Sequence, residues 1–303
     1  MRCLAILTLA FTTFAADFEI KDQAAFKKLF KKNARVQRLA TDLQFVEGPV
    51  WMPQGFLVFS DIPANELKRW DGSSTGNGVG TFRKPSNHTN GNTLDRERRL
   101  ISAEHDGRVT RTEANGKVTN LVESFEGKRL NSPNDAVVKS DGTIWFTDPD
   151  YGLGQRAKEQ PGNYVYRFDP TSRAITAVVK DFDKPNGLCF SPDESKLYIA
   201  DSGKPHHIRV FDVQPNGTLS KGRVFVVIDK GGPDGIRADE AGRVWSSSGD
   251  GAQVFSTDGR LLARILLPEA AANLTFGGKG GHTLFLTARK SLYAVETRTK
   301  AKR

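Results

Sequence analysis

Cysteine, methionine and long apolar runs are all scarce in this chain. Two of its 303 residues are cysteines, Cys3 and Cys189, which excludes a disulfide-stapled scaffold. Cys189 lies in the apolar tripeptide Leu188-Cys189-Phe190, which predicts a buried, inert thiol rather than a nucleophile. The apolar stretch over residues 4–14 is too short to span a bilayer and no later stretch is longer, so we expect no stable membrane insertion.

The composition favours β-structure and a surface of mixed charge. The chain has 29 Gly and 14 Pro against two Met, which is typical of β proteins with many turns. Its 44 Lys and Arg and 35 Asp and Glu give a formal net charge of +9, but the two signs are interleaved along the chain. The sequence has no basic stripe with aromatic residues and no recognisable nucleic-acid module, so we predict no nucleic-acid partner.

The first 16 residues have the pattern of a secretory signal peptide. Arg2 precedes the apolar stretch, and the small residues Ala15 and Ala16 follow it. We therefore expect residues 1–16 to be cleaved and the mature protein to be secreted or periplasmic.

Residues 17–34 are predicted to be an amphipathic segment that precedes the main domain. Within it, residues 22–34 are expected to form a short helix, because apolar and basic side chains recur at helical spacing on opposite sides. The apolar side consists of Ala25, Phe26, Leu29 and Phe30, and the basic side of Lys27, Lys28, Lys31 and Lys32. We expect the apolar side to pack on the rim of the main domain; the alternative is attachment to an anionic membrane surface.

Residues 35–298 contain six copies of one pattern, which predicts an all-β fold, a six-bladed β-propeller. A repeat of about 40–50 residues is typical of propellers. In each copy, a turn rich in Asn, Asp, Gly or Pro leads into an apolar strand. The copies begin at Glu47-Gly48-Pro49, Asn90-Gly91-Asn92, Pro133-Asn134-Asp135, Pro185-Asn186-Gly187, Pro233-Asp234-Gly235 and Ala272-Asn273-Leu274. The chain ends before the sixth copy has a fourth strand, so residues 35–41 are predicted to supply that strand and close the ring.

Oxygen-bearing side chains recur at the turn that leads into the innermost strand of the predicted blades. They are Glu47, Asn134, Asp135, Asn186 and Asp234. These turns open onto one end of the channel, so the side chains should converge, and acids packed together repel unless a cation separates them. The pattern therefore predicts one divalent cation; calcium is favoured, and magnesium, manganese and zinc are compatible. The alternative is that each Asn or Asp only caps its own turn.

Several motifs, taken in order, resemble the gluconolactonase and regucalcin (senescence marker protein) family, which includes luciferin-regenerating-enzyme-like proteins, over residues 43–295. The motifs are Glu47-Gly48-Pro49, Arg129-Leu130-Asn131-Ser132-Pro133-Asn134-Asp135, Phe146-Thr147-Asp148-Pro149-Asp150-Tyr151-Gly152, Pro185-Asn186-Gly187 with Ser191-Pro192-Asp193, and Pro233-Asp234-Gly235. Each motif is weak alone, but their order and spacing are specific. The resemblance implies a metal-dependent lactone hydrolase on a six-bladed propeller.

The resemblance also implies roles for individual residues. Glu47, Asn186 and Asp234 would bind the metal. Asn134 would contact the substrate or a water on the metal, and Asp135 would support the same shell. Asp234 is the candidate general base for a hydrolysis in which the metal polarises the lactone carbonyl. The sequence has no serine-hydrolase elbow, because its one Gly-x-Ser-x-Gly run, residues 72–76, lies in a polar stretch with no helical pattern after it; water is therefore the expected nucleophile.

Two more residues are implied in substrate binding. His105 belongs to the run Glu104-His105-Asp106-Gly107-Arg108, which resembles a motif of bacterial gluconolactonases and would turn His105 toward the pocket. Arg129 precedes the Asn of its motif by five positions, where animal members have two. Tyr151 and residues 155–160 are candidates for a lid over the substrate.

Two classes of function are compatible with this reading. The first is hydrolysis of a sugar-type lactone, a small-molecule substrate. The second is a non-catalytic propeller that holds calcium or a sugar in the same channel. The acid at Asp234 favours catalysis, because a simple binding site could use Asn there. A protein-interaction propeller of the NHL type would have no acids on the axis, and strictosidine-synthase-like enzymes are compatible relatives.

Overall fold

A computed structural model of the protein describes residues 17–72 and 78–302. The predicted signal peptide, residues 1–16, lies outside the described residues. The described chain is almost entirely β-structure and forms a six-bladed propeller with one short α-helix near its N-terminus, which confirms the predicted fold class.

The elements follow the chain blade by blade. The N-terminal part holds β1 (Phe18–Ile20), α1 (Gln23–Leu29) and β2 (Gln37–Ala40). Blade 1 holds β3 (Val46–Trp51), β4 (Leu57–Asp61), β5 (Glu66–Trp70) and β6 (Val79–Arg83). Blade 2 holds β7 (Thr89–Leu94), β8 (Leu100–Glu104), β9 (Arg108–Thr112) and β10 (Val118–Val122), and a small hairpin of β11 (Ser124–Phe125) and β12 (Lys128–Arg129) follows it.

The second half of the chain repeats this arrangement. Blade 3 holds β13 (Ala136–Val138), β14 (Ile144–Asp148), β15 (Asn163–Phe168) and β16 (Ile175–Phe182). Blade 4 holds β17 (Pro185–Phe190), β18 (Lys196–Asp201), β19 (His207–Asp212) and β20 (Arg223–Val227). Blade 5 holds β21 (Ile236–Ala238), β22 (Val244–Ser248), β23 (Gly251–Phe255) and β24 (Leu261–Leu266). Blade 6 holds β25 (Asn273–Gly277), β26 (Thr283–Ala288) and β27 (Ser291–Glu296), with a 3-10 turn at Lys279–Gly281.

The ring is closed by a strand from the start of the chain. β2 pairs antiparallel with β27 as the outer strand of blade 6, with Gln37 opposite Ala294 and Arg38 opposite Tyr293. This confirms the prediction that residues 35–41 complete the last blade. The closure pairs the strand edge that blade 6 would otherwise expose.

The N-terminal segment differs from the prediction in two ways. The helix ends at Leu29 rather than at residue 34, and Phe30 is extended (φ −132°, ψ 153°). The reason is packing: Phe30 is buried and its ring lies 5.8 Å from that of Trp245 in blade 5. In addition, β1 pairs with β24 as a fifth strand of blade 5, which the sequence pattern did not indicate because three residues are too few to show a period.

Helix α1 packs against the propeller. Among the described residues, no helix is long and apolar enough to cross a membrane. Asp22 caps α1 by accepting a hydrogen bond from the Ala25 amide at 2.9 Å. Leu29 and Phe30 belong to a core cluster with side chains of blades 5 and 6, and Phe26 packs against that cluster. Burial of these side chains anchors the short helix, which is too short to be stable alone.

The innermost strands form the wall of the central channel. β3, β7, β13, β17, β21 and β25 each contact the next, and β25 contacts β3. Because every innermost strand begins at the same end of the channel, the turns before these strands meet there.

Cys189, on β17, is buried, and that burial raises the pKa of its thiol to about 12, as expected for an inert thiol.

Candidate functional site

Two rings of residues surround one end of the channel. The first ring has one residue from each blade: Glu47, Asn90, Asn134, Asn186, Asp234 and Ala272. The second ring holds the residues that follow them: Gly48, Gly91, Asp135, Gly187, Gly235 and Asn273. Five of the six positions in the first ring carry an oxygen-bearing side chain. The repeat therefore brings together side chains that are far apart in sequence.

Glycine in the second ring lets neighbouring blades approach. The Gly187 amide donates to the Asp234 carbonyl at 3.1 Å, and a Cβ on Gly187 would lie 2.3 Å from that carbonyl oxygen. A Cβ on Gly235 would lie 2.1 Å from the side-chain Cγ of Asn273 in blade 6. Such contacts are far shorter than van der Waals distance, so only glycine fits at these two positions.

Glu47 and Asp234 form an acidic pair in which Glu47 is buried and Asp234 is partly buried. Glu47 is 3% exposed, and its Oε2 accepts a hydrogen bond from the Gly48 amide at 2.8 Å. Burial raises the pKa of Glu47 to about 7, and the charge of Asp135 adds to the effect. Burial also raises the pKa of Asp234 well above its usual range, and the charges of Glu47 and Asp135 raise it further. The shared electrostatics show that the three acids lie close together.

Two oxygen atoms beside this pair have no protein partner. Asn186 donates through Nδ2 to the Ser202 hydroxyl at 2.9 Å, which leaves its Oδ1 buried and unpaired. Oδ1 of Asp234 is also buried and unpaired. Carboxylate and amide oxygens are the donors that hard divalent cations take, so Glu47, Asn186 and Asp234 fit such an ion. Over residues 17–72 and 78–302 there is no group of three or more His, Cys, Asp or Glu arranged to hold a metal, so the fit depends on the amide.

Asp135 occupies a position under the ring. It is fully buried, and its Oδ1 accepts from the Ala136 amide at 2.9 Å. Its Oδ2 accepts from Nη1 of Arg237 at 3.2 Å and from Nδ2 of Asn273 at 3.4 Å. Both carboxylate oxygens are thus used within the protein, and the Asp135, Arg237 and Asn273 side chains form a floor beneath Glu47 and Asp234.

Asn134 lies in the first ring as the sequence indicated. It is 4% exposed. Its main-chain amide donates to the Thr147 carbonyl at 2.9 Å, and its main-chain carbonyl accepts from the Gly91 amide at 2.6 Å. These two main-chain hydrogen bonds hold Asn134 at the contact between blades 2 and 3.

His105 lies on the wall of blade 2. Its Nε2 is 3.1 Å from Nδ2 of Asn90, and burial lowers the pKa of His105 to about 4, so the ring is neutral at pH 7. Gly152 packs directly against the ring, since a Cβ there would lie 2.3 Å from Cγ of His105. Arg156 donates to the His105 carbonyl at 2.7 Å. The structure thus joins His105 to the first ring through Asn90, a residue that sequence reasoning left out.

The loop between β14 and β15 covers this end of the channel beside blade 3. Tyr151 is 47% exposed, and Nζ of Lys184 lies 5.5 Å from the centre of its ring. Partial burial and the nearby charge of Asp234 raise the pKa of Tyr151 to about 12. Lys158 of the same loop is ion-paired with Asp150 at 3.0 Å. The predicted lid residues therefore border the site.

Arg129 is placed apart from the ring. It is exposed on β12, where its main-chain amide donates to Oε2 of Glu159 at 2.8 Å and its guanidinium donates to the Asp106 carbonyl. It lines a surface cleft of about 550 Å³ with Asp106, Glu123 and Glu159. The described structure brings Glu47, Asn134, Asp135, Asn186 and Asp234 together and leaves Arg129 outside that group.

The comparison with known proteins agrees with this geometry. Residues 45–290 match the family described as the SMP-30/Gluconolactonase/LRE-like region. The chain belongs to this family. A gluconolactonase from Zymomonas mobilis is 34% identical over 295 residues, covering 87% of this chain and 82% of that protein.

Solved structures of the SMP-30/gluconolactonase family have the same architecture. A gluconolactonase structure from Xanthomonas campestris matches with a TM-score of 0.87 and 35% identity, covering 93% of this chain and 95% of that one. A calcium-binding regucalcin from Agrobacterium tumefaciens matches with a TM-score of 0.73 and 22% identity, covering 89% of this chain and 98% of that one. At that identity the regucalcin match shows the shared fold alone.

The raised pKa of Glu47 predicts a pH-dependent stability when cations are removed by chelation. The folded state holds the Glu47 proton to about pH 7, whereas the ordinary pKa is 4.5. Protonated Glu47 therefore contributes to the free energy of unfolding in full below pH 4.5, and this contribution is lost as the pH rises through the folded-state pKa. Between about pH 4.5 and about pH 7.5, we expect the free energy of unfolding of wild type to fall by on the order of 3 kcal/mol relative to that of Glu47→Gln.

Urea unfolding of the two chelated proteins across this range measures that difference. Taking the difference removes the opposite contribution of His105, whose lowered pKa of about 4 costs stability as pH falls below 6.5. It also removes the contribution of Asp148, whose pKa burial raises to about 7. A flat difference would show that Glu47 is solvated rather than packed against the other acids.

Proposed function

We propose that this protein hydrolyses a sugar-type lactone at the ringed end of its channel, with one divalent cation bound there. The observation that carries the proposal is the acidic pair, Glu47 and Asp234, together with the unpaired Oδ1 atoms of Asn186 and Asp234. Two neighbouring carboxylates without a cation cost stability, which is the usual mark of a functional site. The similarity to the Zymomonas mobilis gluconolactonase supports a lactone as substrate.

Glu47, Asn186 and Asp234 are the residues that would hold the cation. When bound, a divalent cation supplies positive charge that polarises the lactone carbonyl and acidifies the attacking water. Calcium is our first choice because all three side chains offer oxygen. Magnesium, manganese and zinc are the alternatives to be tested.

The remaining steps are assigned to side chains of the chain itself. Asp234 accepts a proton from the attacking water through its carboxylate. The water oxygen bonds to the carbonyl carbon, the ring carbon–oxygen bond breaks, and the former ring oxygen takes the proton, so that lactone and water give one hydroxy acid. Asn134 holds a hydroxyl or the carbonyl of the substrate in this proposal, and neutral His105 forms a wall of the pocket.

The test is hydrolysis of glucono-1,5-lactone and a panel of smaller lactones by protein that has been chelated and then reloaded with calcium, magnesium, manganese or zinc. We expect turnover to vanish on chelation and to return with one or two of these ions. Cation binding by calorimetry without turnover of any lactone would instead favour a non-catalytic calcium- or sugar-binding propeller.

A further inference from the structure

We propose that Asn90 is a substrate-binding residue whose side-chain oxygen accepts a hydrogen bond from a ring hydroxyl of the lactone, and that His105 positions it. The proposal rests on the proposed lactone hydrolysis and adds a specificity residue to it. Asn90 is the blade 2 member of the first ring, equivalent to Glu47, Asn186 and Asp234 in their blades.

The main chain holds Asn90 rigidly at the rim of the channel. Its carbonyl accepts from the Ser60 hydroxyl at 2.7 Å and from Nδ2 of Asn92 at 3.3 Å. That carbonyl also lies where a side chain on Gly48 would be, so blade 1 is in direct contact with Asn90. Asn90 is 4% exposed, so its side chain is enclosed by its neighbours at this point of the ring.

His105 determines which part of the Asn90 amide is available. The neutral ring can accept at Nε2, and Nδ2 of Asn90 lies 3.1 Å from it, so the amide nitrogen is used there. The amide oxygen, Oδ1, then lies on the other side, where it is buried with no hydrogen-bond partner in the described chain. A buried acceptor without a donor is costly unless a ligand supplies one.

A lactone hydroxyl matches this oxygen better than a cation does. The carbonyl and ring oxygens of a sugar lactone only accept hydrogen bonds, so its hydroxyls are the groups that can donate to Oδ1. The charged groups that act on His105 are His88, Asp106 and Arg156, whereas those that act on Asp234 are Glu47 and Asp135. Asn90 and His105 therefore form a neutral wall to one side of the acidic pair.

The test compares a hydroxylated lactone with a bare one. For Asn90→Ala, we expect kcat/KM for glucono-1,5-lactone to fall about 30-fold, mostly through KM, because a buried hydrogen bond to the substrate is lost. The rate for δ-valerolactone, which has no hydroxyl, should stay within about twofold, and so should calcium affinity. Asn115→Ala, in an exposed turn of blade 2, is the matched control and should leave both lactones unchanged.

His105→Leu provides a second variant that keeps Asn90 itself. It removes the acceptor for Nδ2, so we expect the same selective loss for glucono-1,5-lactone, at about fivefold. Equal losses on both lactones in either variant, with unchanged thermal unfolding, would overturn the proposal. A tenfold loss of calcium affinity in Asn90→Ala would also overturn it, since Asn90 would then be a cation ligand.

Binding of 1,5-anhydroglucitol separates failure of this proposal from failure of the proposed function. This sugar has the ring hydroxyls and no carbonyl, so it reports on hydroxyl recognition without hydrolysis. If wild type hydrolyses neither lactone, the proposed function fails. Weaker binding of 1,5-anhydroglucitol by Asn90→Ala than by wild type would still support hydroxyl recognition by Asn90, whereas equal or absent binding would overturn it.

Discussion

Changing Asp234 to Asn is expected to lower kcat for glucono-1,5-lactone by about 10³-fold, because a general base contributes about 10²–10⁴ to the rate. Asn has the same size, but its amide cannot take the proton of the attacking water. Steady-state kinetics with saturating cation measure the loss. Asp258→Asn, in an exposed turn of blade 5, is the matched control and should have wild-type kinetics.

The same variant should be more stable than wild type when cations are removed. Asp234 is grouped with the buried acids Glu47 and Asp135, and one fewer acid in that group relieves repulsion and desolvation. We expect a gain of about 1–2 kcal/mol in the free energy of unfolding at pH 7.5, measured by urea unfolding in chelator. Lower activity with higher stability would separate a catalytic role from a folding defect. Full activity, or lower stability in chelator, would contradict the assignment.

The propeller was predictable because the same sequence pattern occurs six times. Six turns of similar composition fix the blades, and the incomplete sixth copy indicates that a strand near residue 37 closes the ring. The N-terminal segment has no such repetition. The exact end of α1 depends on Phe30 turning into the core of blade 5, and a three-residue strand such as β1 is set by the edge it pairs with.

The candidate site was predictable to the extent that it follows the repeat. The same position of the repeat is occupied by Glu47, Asn186 and Asp234, so the fold brings these three side chains to one end of the channel. Asn90 has the same position, and the Asn90-Gly91 pair in the second copy was the signal that could have identified it. Arg237 was not predictable, because its long side chain places the guanidinium against Asp135 of blade 3, far in sequence from its own position.

Gly187→Ala and Gly235→Ala are expected to impair folding and activity together. Neither position needs a positive φ; the constraint is the space that the next blade occupies. An added methyl group would overlap the Asp234 carbonyl in the first variant and Asn273 in the second. We expect each variant to lose about 3 kcal/mol of unfolding free energy, at the upper end for overpacking, as measured by urea unfolding.

The activity of any folded fraction tests whether the glycines also position the site. If the blades separate to admit the methyl group, Asp234 moves relative to Glu47 and Asn186, and a displacement of about 1 Å can cost about 10²-fold in rate. Gly80→Ala on β6 is the control, because a Cβ there meets no atom within 4 Å; it should change stability by less than about 0.5 kcal/mol. Should Gly187→Ala unfold at a lower urea concentration yet keep wild-type kcat/KM and calcium affinity, the glycine would serve packing alone. Parallel losses in stability, cation affinity and rate would instead show that the contact between blades also sets the distance between the acids.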